Sequence, residues 1–255
     1  MKTQSPYRIT GSSDKLDTYF LGDIHGNFSV IESLCKYNKL RNSNIIQVGD
    51  FGIGFKSVFS DRHDLGVLNR VLQDSNVYLY VVRGNHDNPN WFTADHPINT
   101  TEKFSNITFV CDYSILHLGK HNILCVGGAV SIDRIYRNVN NLGYWEDERF
   151  STPKPWLIPS AEDCDISVVV THNAPAYCTP TNFNNLVYQY AANDVDLLTD
   201  LTEERSRITR LFELLLEKGH QIQHHFYGHF HFSNTEFIND TCHKLLDVNE
   251  LYLLH

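Results

Sequence analysis

The sequence has no long run of apolar residues. Residues 1–15, MKTQSPYRITGSSDK, lack the apolar segment of an export signal, and no stretch approaches the roughly 18 apolar residues that a membrane span needs. The chain also lacks a CxxC pair, because its cysteines are scattered at Cys35, Cys111, Cys125, Cys164, Cys178 and Cys242. We therefore predict a cytoplasmic protein with no membrane partner, in which most cysteines are reduced and act as small core residues rather than as ligands.

Basic residues are also in deficit. The chain has 21 Lys and Arg against 30 Asp and Glu, which gives a formal net charge of -9. This balance argues against broad binding to a nucleic-acid backbone, because such binding needs a basic surface. A phosphate-bearing substrate stays possible, since bound metal ions can supply local positive charge. Histidine, in contrast, is abundant, with 14 copies, several of them at the ends of apolar runs.

The chain alternates between short apolar runs and amphipathic segments. The runs are rich in β-branched and aromatic residues, which favours buried strands covered on both faces. They are DTYFLGD (17–23), NIIQVGD (44–50), NVYLYVVRG (76–84), HNILCVGG (121–128), ISVVVTH (166–172) and HHFYGH (224–229). Apolar residues at helical spacing predict helices over 27–38, 63–75 and 203–219. The βαβαβ order at the front predicts parallel strands in an α/β fold.

The remaining segments differ in character. The tail, SNTEFIND (233–240) followed by HKLLDVNELYLL (243–254), is predicted to form antiparallel strands that close a second sheet. Residues 129–165 and 174–200 look irregular, and we predict that they form lid or specificity loops. The sequence shows no internal repeat, linker or low-complexity tract. We therefore expect one domain over residues 1–255.

Polar side chains that can bind a metal follow the apolar runs. In an open α/β sheet, ligands bind at the carboxyl ends of the strands, so these groups should meet at one edge of the molecule. Their donors are oxygen and nitrogen, which suits Mn above all, with Fe, Zn or Ni as alternatives. Seven candidates are too many for one tetrahedral site and suit two ions about 3.5–4 Å apart that share a carboxylate. The candidates are Asp23, His25, Asp50, Asn85, His172, His229 and His231.

Five motifs carry a resemblance to a known family. GDIHGN, GD, RGNHD, THNAP and GHFH, in this order, resemble the signature blocks of the calcineurin-like metallophosphoesterases. The resemblance implies a four-layer α/β-β/α sandwich of two mixed sheets flanked by helices, with two divalent metal ions at the strand ends. It implies three ligand groups: Asp23, His25 and His231 for the first ion, Asn85, His172 and His229 for the second, and Asp50 as the bridge.

The resemblance also implies a reaction. It implies a metal-dependent phosphoesterase that hydrolyses phosphomonoester or phosphodiester bonds by attack of a metal-bridging hydroxide. His86 matches the catalytic histidine, which would donate a proton to the leaving oxygen. Asp87 either orients that imidazole or caps the following turn. Three polar residues are candidates for binding the phosphate: Arg134, Arg137 and Asn173.

The substrate is less well defined by these motifs. A phosphorylated small molecule, a nucleotide or a phosphoprotein each fits the chemistry. The alternatives are a nuclease or cyclic-nucleotide phosphodiesterase of the same fold, and a binding scaffold that has lost catalysis. A Ser/Thr protein phosphatase is less expected, because FGIGF follows Asp50 where those enzymes carry xxDRG, with an arginine that binds phosphate.

Overall fold

Two mixed β-sheets pack face to face, with helices on both outer sides. The computed structural model describes residues 8–11, 16–37, 40–101 and 103–254. We number the strands in chain order. The five-stranded sheet has the order β12-β2-β3-β4-β5, formed by Leu251–Leu253, Asp17–Leu21, Ser43–Gln47, Val77–Val81 and Ile107–Phe109. Strands β2 to β5 are parallel, and β12 is antiparallel to β2.

The second sheet has seven strands in the order β1-β6-β7-β8-β9-β11-β10. These strands are Arg8–Thr10, Ser114–Leu118, His121–Val126, Val168–Thr171, His224–Tyr227, Thr241–Leu245 and Asn234–Ile238. Strands β7, β8, β9 and β11 are parallel. The carboxyl ends of the parallel strands in both sheets supply the polar groups described below.

The helices form the two outer layers. They are α1 Ser29–Lys36, α2 Val58–Ser75, α3 Pro97–Thr100, α4 Arg134–Val139, α5 Asn185–Ala191 and α6 Leu197–Glu217. Helices α1 and α2 pack on the five-stranded sheet, where Ile31 and Leu68 belong to the same buried cluster as Ile45. Helix α6 covers the other sheet through Ile208 and Leu215. Within the described residues, no helix is long and apolar enough to cross a membrane.

The middle of the molecule is the interface between the two sheets. Phe20 of β2 stacks on Phe226 of β9, with ring centroids 3.6 Å apart. All five residues of β3 are buried, including the polar Ser43, Asn44 and Gln47, because this strand lies between the helices and the second sheet. The arrangement confirms the predicted α/β sandwich of two mixed sheets flanked by helices.

Several boundaries differ from those predicted. Helix α2 begins at Val58, before residue 63, because the Ser57 side chain caps it by accepting a hydrogen bond from the backbone N–H of Ser60. Helix α6 begins at Leu197, before residue 203. The two segments predicted as irregular, 129–165 and 174–200, contain α4, α5 and the start of α6, so they are not irregular throughout, and their role as lid or specificity loops stays a prediction.

The C-terminal strands divide between the sheets. Strands β10 and β11 form the predicted antiparallel hairpin, and Asn239 and Asp240 at its turn have positive φ angles of 49° and 64°. Strand β11 also pairs in parallel with β9, however, and β12 joins the five-stranded sheet beside β2. The prediction that the whole tail closes one sheet was therefore wrong, because an apolar pattern does not specify which sheet a strand joins.

Candidate metal centre

The structure brings the seven predicted ligands together at the carboxyl ends of five strands. The predicted ligands lie in the loops after these strands: Asp23 and His25 after β2, Asp50 after β3, Asn85 after β4, His172 after β8, and His229 and His231 after β9. Ligand atoms of Asp23, His25, Asp50 and His231 lie within 4.8 Å of one another, as do those of Asp50, His172 and His229. Both sheets thus contribute to one centre.

Asp50 lies between the two groups. Its Oδ1 is 3.2 Å from Nε2 of His172, and its Oδ2 is 3.9 Å from Nδ1 of His25. On the far side, Nε2 of His231 is 3.2 Å from Oδ2 of Asp23. The two carboxylates are almost fully buried, whereas His25 and His231 are exposed to solvent. A carboxylate in this central position can be shared by two cations.

The loops that carry the ligands have an unusual backbone. Four of these residues have backbone φ angles in the left-handed region, which residues other than glycine rarely adopt. They are His25 (45°), Asp50 (56°), His229 (72°) and His231 (55°). Such conformations cost free energy and are concentrated at functional sites, where they aim side chains at one point.

Three glycines let the neighbouring backbone approach the ligands closely. A Cβ atom on Gly84 would lie 2.1 Å from Oδ1 of Asp50, and one on Gly228 would lie 2.1 Å from Oδ1 of Asp23. A Cβ on Gly49 would lie 2.2 Å from Nδ1 of His172. We did not predict these roles, although each glycine directly precedes a ligand in its motif. Their position in VGD, RGN and YGH was the available signal.

Hydrogen bonds orient the donor atoms of the second group. Nδ1 of His172 lies 3.0 Å from the carbonyl of Val48, so it carries the proton and donates it. The Asn85 amide donates from Nδ2 to Oγ of Ser131 at 2.9 Å, which leaves Oδ1 facing Nε2 of His172 at 3.1 Å. Nε2 of His172 therefore faces two oxygen acceptors, one from Asn85 and one from Asp50, and a cation between them would satisfy all three.

The electrostatics support the same conclusion. Burial, the largest influence, lowers the pKa of His172, but the charge and hydrogen bond of Asp50 outweigh it and raise that pKa to about 9. The same negative charge of Asp50 would attract a metal cation. Burial lowers the pKa of His229 to about 3, so its imidazole is neutral and keeps a lone pair for a metal. Oxygen and nitrogen donors of this kind fit divalent Mn, Fe or Zn.

His86 is placed at the edge of this centre. Its backbone N–H donates to Oδ1 of Asp50 at 2.7 Å. Its ring lies edge-on to His25 at 5.3 Å and stacks beside Phe55 at 6.1 Å between centroids. Burial, opposed by the charge of Asp50, lowers the pKa of His86. A phosphate anion beside the ring would raise that pKa and favour the protonated form that an acid needs.

The hydrogen bonds of Asp87 are not those of a residue that orients the His86 ring. Its carboxylate accepts four backbone hydrogen bonds, from the N–H groups of Phe51, Gly52, Ile53 and Gly84. Burial and the charge of Asp50 raise the pKa of Asp87 to about 7, against the effect of these bonds. The geometry therefore favours the second predicted role, in which Asp87 organises the turn, here together with the loop that follows Asp50.

The predicted phosphate-binding arginines lie behind the cavity wall. Arg134 forms ion pairs with Asp194 and Asp200. Arg137 donates to Oγ of Ser131 at 2.6 Å and pairs with Glu148 at 3.3 Å. Both guanidinium groups are buried, so contact with a substrate would require these ion pairs to break. The structure instead places Arg137 behind Asn85, whose amide binds the same Ser131 hydroxyl.

Asn173 is also held by the protein. Its Nδ2 donates to Oε1 of Glu204 at 2.6 Å, and its Oδ1 accepts from the N–H of Ala174 at 2.7 Å. Its side chain lies in the wall of the cavity. Glu204, a buried residue of α6 that we did not predict, also accepts from the backbone N–H groups of Val130 and Phe150. It links the loop after β8 to the loop after β7.

A cavity of about 550 Å³ opens above the centre. Its floor includes Asp50, Asn85, His86, His229 and His231. Its walls come largely from the segment 174–200 and from the residues after His229, and they are rich in apolar and aromatic side chains: Phe183, Leu186, Val187, Tyr190, Phe230 and Phe232. Arg205 of α6 also reaches the wall, where it donates to the carbonyls of Ala174, Pro175, Cys178 and Pro180.

The comparison with solved structures finds several proteins that are similar to this chain. A dimetal phosphatase from Danio rerio is similar over 91% of this chain and 87% of its own, with 11% identity and a TM-score of 0.51. A phosphopantetheinyl hydrolase from Mycobacterium tuberculosis has 17% identity, a TM-score of 0.47 and coverage of 91% and 90%. A putative 5'-nucleotidase from Staphylococcus aureus has 11% identity and a TM-score of 0.47, over 94% of this chain and 51% of its own.

Sequence comparison identifies the family. The comparison with curated proteins finds no significant match. The family model described as calcineurin-like phosphoesterase, however, matches residues 16–233, which include all seven predicted ligand positions. The chain therefore belongs to the calcineurin-like phosphoesterase family.

Proposed function

We propose that this protein hydrolyses a phosphomonoester or phosphodiester bond of a small molecule with the help of two divalent metal ions. The observation that carries the proposal is the set of seven donors centred on Asp50, four of which line the floor of a cavity that reaches solvent. Asp23, His25 and His231 would hold one ion, and Asn85, His172 and His229 the other. Divalent ions held there would activate water for attack on phosphorus and neutralise the phosphoryl oxygens.

The protein's own groups would perform the remaining steps. His86 would donate a proton to the departing oxygen, because its ring lies at the cavity floor beside the ligands. Asp87 and Gly84 would hold the loops that aim Asp50 at the centre. Arg137 and Ser131 would fix the amide of Asn85. These buried contacts keep the donors in place before the substrate enters, which lowers the cost of reorganisation during the reaction.

The cavity wall favours a substrate that carries a flat apolar group next to its phosphate. Four aromatic rings line the wall: Phe183, Tyr190, Phe230 and Phe232. A nucleotide has such a group, and its base can stack on aromatic side chains. The net charge of -9 disfavours a long nucleic acid, because polymer binding needs many basic contacts. We therefore favour a nucleotide or another small aryl phosphate over a nuclease substrate.

A substrate panel tests the proposal. Metal-free protein would be loaded with Mn²⁺ and incubated with p-nitrophenyl phosphate, bis-p-nitrophenyl phosphate, several nucleotides and a short alkyl phosphate. We expect turnover that depends on the metal and a lower KM for the aryl substrates and nucleotides than for the alkyl ester. Absence of turnover on every substrate, together with less than one bound ion per chain, would refute the catalytic proposal. Equal KM values for aryl and alkyl esters would refute the role of the aromatic wall.

A further inference from the structure

A second cluster of potential metal-binding side chains lies inside the molecule, and none of its members lines the cavity. His225 of β9 and His243 of β11 are direct partners in the parallel pairing of these strands, so their side chains lie next to each other on one face of the sheet. Cys178, from the segment that follows β8, approaches the same point. All three residues are buried: His225 and Cys178 are 0% exposed, and His243 is 1% exposed.

The three donor atoms are close enough to share one ion. Nδ1 of His225 is 3.0 Å from Nδ1 of His243, and Sγ of Cys178 is 3.2 Å from Nδ1 of His243. With zinc–sulfur and zinc–nitrogen bonds of about 2.3 and 2.0–2.1 Å, tetrahedral geometry separates sulfur from nitrogen by roughly 3.5 Å and two nitrogens by roughly 3.3 Å. The observed distances are within a few tenths of an ångström of these values.

A neighbouring hydroxyl sets the tautomer of His225. Oγ1 of Thr171 has one hydrogen, which it donates to the carbonyl of Asn173. It must therefore accept from Nε2–H of His225, at 2.8 Å. This leaves Nδ1 of His225 without a proton, with its lone pair directed toward Nδ1 of His243. Metal-binding histidines characteristically donate their other ring N–H to such a partner.

The surroundings of the cluster are apolar and closed. The ring of Phe212 lies 4.9 Å from that of His225, and Tyr227 stacks on His225 at 4.9 Å between centroids. Tyr177 lies 5.6 Å from His243. A buried site of thiolate and imidazole donors selects thiophilic ions such as Zn²⁺ over Mn²⁺ or Mg²⁺. The three donors would leave the fourth tetrahedral position to a water molecule, and burial of the site keeps substrates away from the ion, which suits a structural role.

We propose that Cys178, His225 and His243 bind one Zn²⁺ in a structural site that is separate from the candidate metal centre. The ion would tie the segment 174–180, which supplies Pro180 to the cavity wall, to the seven-stranded sheet. Burial raises the pKa of the Cys178 thiol, so the ion would displace a thiol proton when it binds. Other contacts also hold the same segment: Arg205 donates to four of its carbonyls, including that of Cys178, and Glu236 accepts from the N–H of Thr179.

Cobalt substitution tests the site directly. The seven donors of the candidate metal centre include no sulfur, so a near-ultraviolet sulfur-to-cobalt charge-transfer band in Co²⁺-loaded protein must come from a cysteine. We expect this band in the wild type and its complete loss in Cys178→Ser, with one fewer ion bound per chain. Cys125→Ser is the matched control, because Cys125 is equally buried, at 1% exposure, but lies in the cluster between the sheets. That variant should keep the band.

A measurement on the wild type alone tests the site even if Cys178→Ser does not fold. X-ray absorption at the zinc edge of the wild type should show a sulfur neighbour at about 2.3 Å. A wild type with neither the cobalt band nor a sulfur neighbour would overturn the proposal, and so would a band that persists in Cys178→Ser. In that case the three side chains form a hydrogen-bonded cluster without metal. A protein that shows the band but hydrolyses no ester would support this site and refute only the proposed function.

Discussion

The candidate metal centre and the Cys178–His225–His243 cluster both draw on the strand β9, yet they are built in different ways. The centre takes its ligands from loops beyond strand ends, four of them with left-handed backbone, and it opens into a cavity. The cluster takes two ligands from within paired strands and is fully enclosed. Its donors are sulfur and nitrogen, whereas the centre has oxygen and nitrogen donors.

The difference follows from backbone geometry. Within a sheet, a side chain meets only its neighbours across the ladder and whatever covers that face. Beyond the strand ends the chain can turn sharply, so many donors converge on one point while one side stays open to solvent. We therefore assign chemistry to the strand-end centre and structural stabilisation to the in-strand cluster. The predictions below test this division.

Chelation should separate the two sites most strongly. In protein loaded with Co²⁺ at both sites, excess EDTA should abolish turnover, because the strand-end centre is open to the solvent through the cavity. The sulfur-to-cobalt band should persist longer, because the closed site must open before its ion leaves. Turnover and absorbance would be followed in the same sample. If the band decays first, the division between an open reactive site and a closed structural one is wrong.

The variant His86→Ala tests whether the centre carries the chemistry. We expect kcat to fall by about 10²–10⁴-fold, the usual contribution of a general acid. Metal content should be unchanged, because the contact of residue 86 with Asp50 is made by the backbone N–H, which alanine retains. Steady-state kinetics and elemental analysis measure the two quantities. Loss of metal from this variant would instead make His86 a ligand.

The pair Gly84→Ala and Gly66→Ala tests how closely the backbone must approach the ligands. A Cβ at residue 84 would lie 2.1 Å from Oδ1 of Asp50 and 2.2 Å from its backbone N. Because one of these atoms belongs to the backbone, a side-chain rotation of Asp50 cannot relieve the overlap. We expect metal affinity to fall by roughly 10–100-fold. The control position, Gly66 within α2, has only a ring atom of Phe104 nearby at 3.9 Å.

The control variant should behave in the opposite way. Gly66→Ala should raise the free energy of unfolding by roughly 0.5–1 kcal/mol, because alanine favours a helix interior over glycine. Its metal affinity should match that of the wild type. Metal titration and urea unfolding of both variants provide the comparison. Equal metal affinity in Gly84→Ala and the wild type would show that the centre tolerates movement of Asp50.

The contrast between the two sites also explains what could be predicted from the sequence. The strand-end ligands are visible locally, because each follows an apolar run within a short motif such as RGNHD or GHFH. The in-strand cluster is not, since it depends on the register that places His225 opposite His243. Cys178 was counted only among scattered cysteines, because the long-range fold that brings it to the two histidines leaves no local pattern.

The arginines illustrate a second limit. Arg134 and Arg137 looked available for phosphate because a sequence shows a charge but not its partners. In the structure Asp194, Asp200 and Glu148 neutralise them. The role of Arg137 behind Asn85 arises from tertiary contacts with Ser131. The apolar cavity wall was equally hidden, although its main source, the segment 174–200, was predicted as a specificity loop.

Glu204 has contacts behind the strand-end centre, and its replacement should change the stability of the protein rather than its metal binding. In Glu204→Gln, the new NH₂ group must face one of three buried donors, the N–H groups of Val130, Phe150 or the Asn173 side chain. One donor is left unsatisfied, so the free energy of unfolding should fall by about 1–3 kcal/mol. Metal content should stay constant, since Asn173 rather than a ligand contacts this carboxylate.

The pH dependence of stability, compared between this variant and the wild type, tests how burial changes the ionisation of Glu204. Burial raises the pKa of Glu204 above its ordinary value, so between the unfolded and folded pKa values the native state binds the proton more tightly. In that window the contribution of Glu204 to stability decreases as the pH rises, whereas glutamine does not titrate. Urea unfolding at a series of pH values should therefore show, in that window, a steeper loss of stability with rising pH for the wild type than for the variant. Parallel slopes for the two proteins would mean that the carboxylate ionises equally in the folded and unfolded states, and that its three hydrogen bonds fully offset its burial.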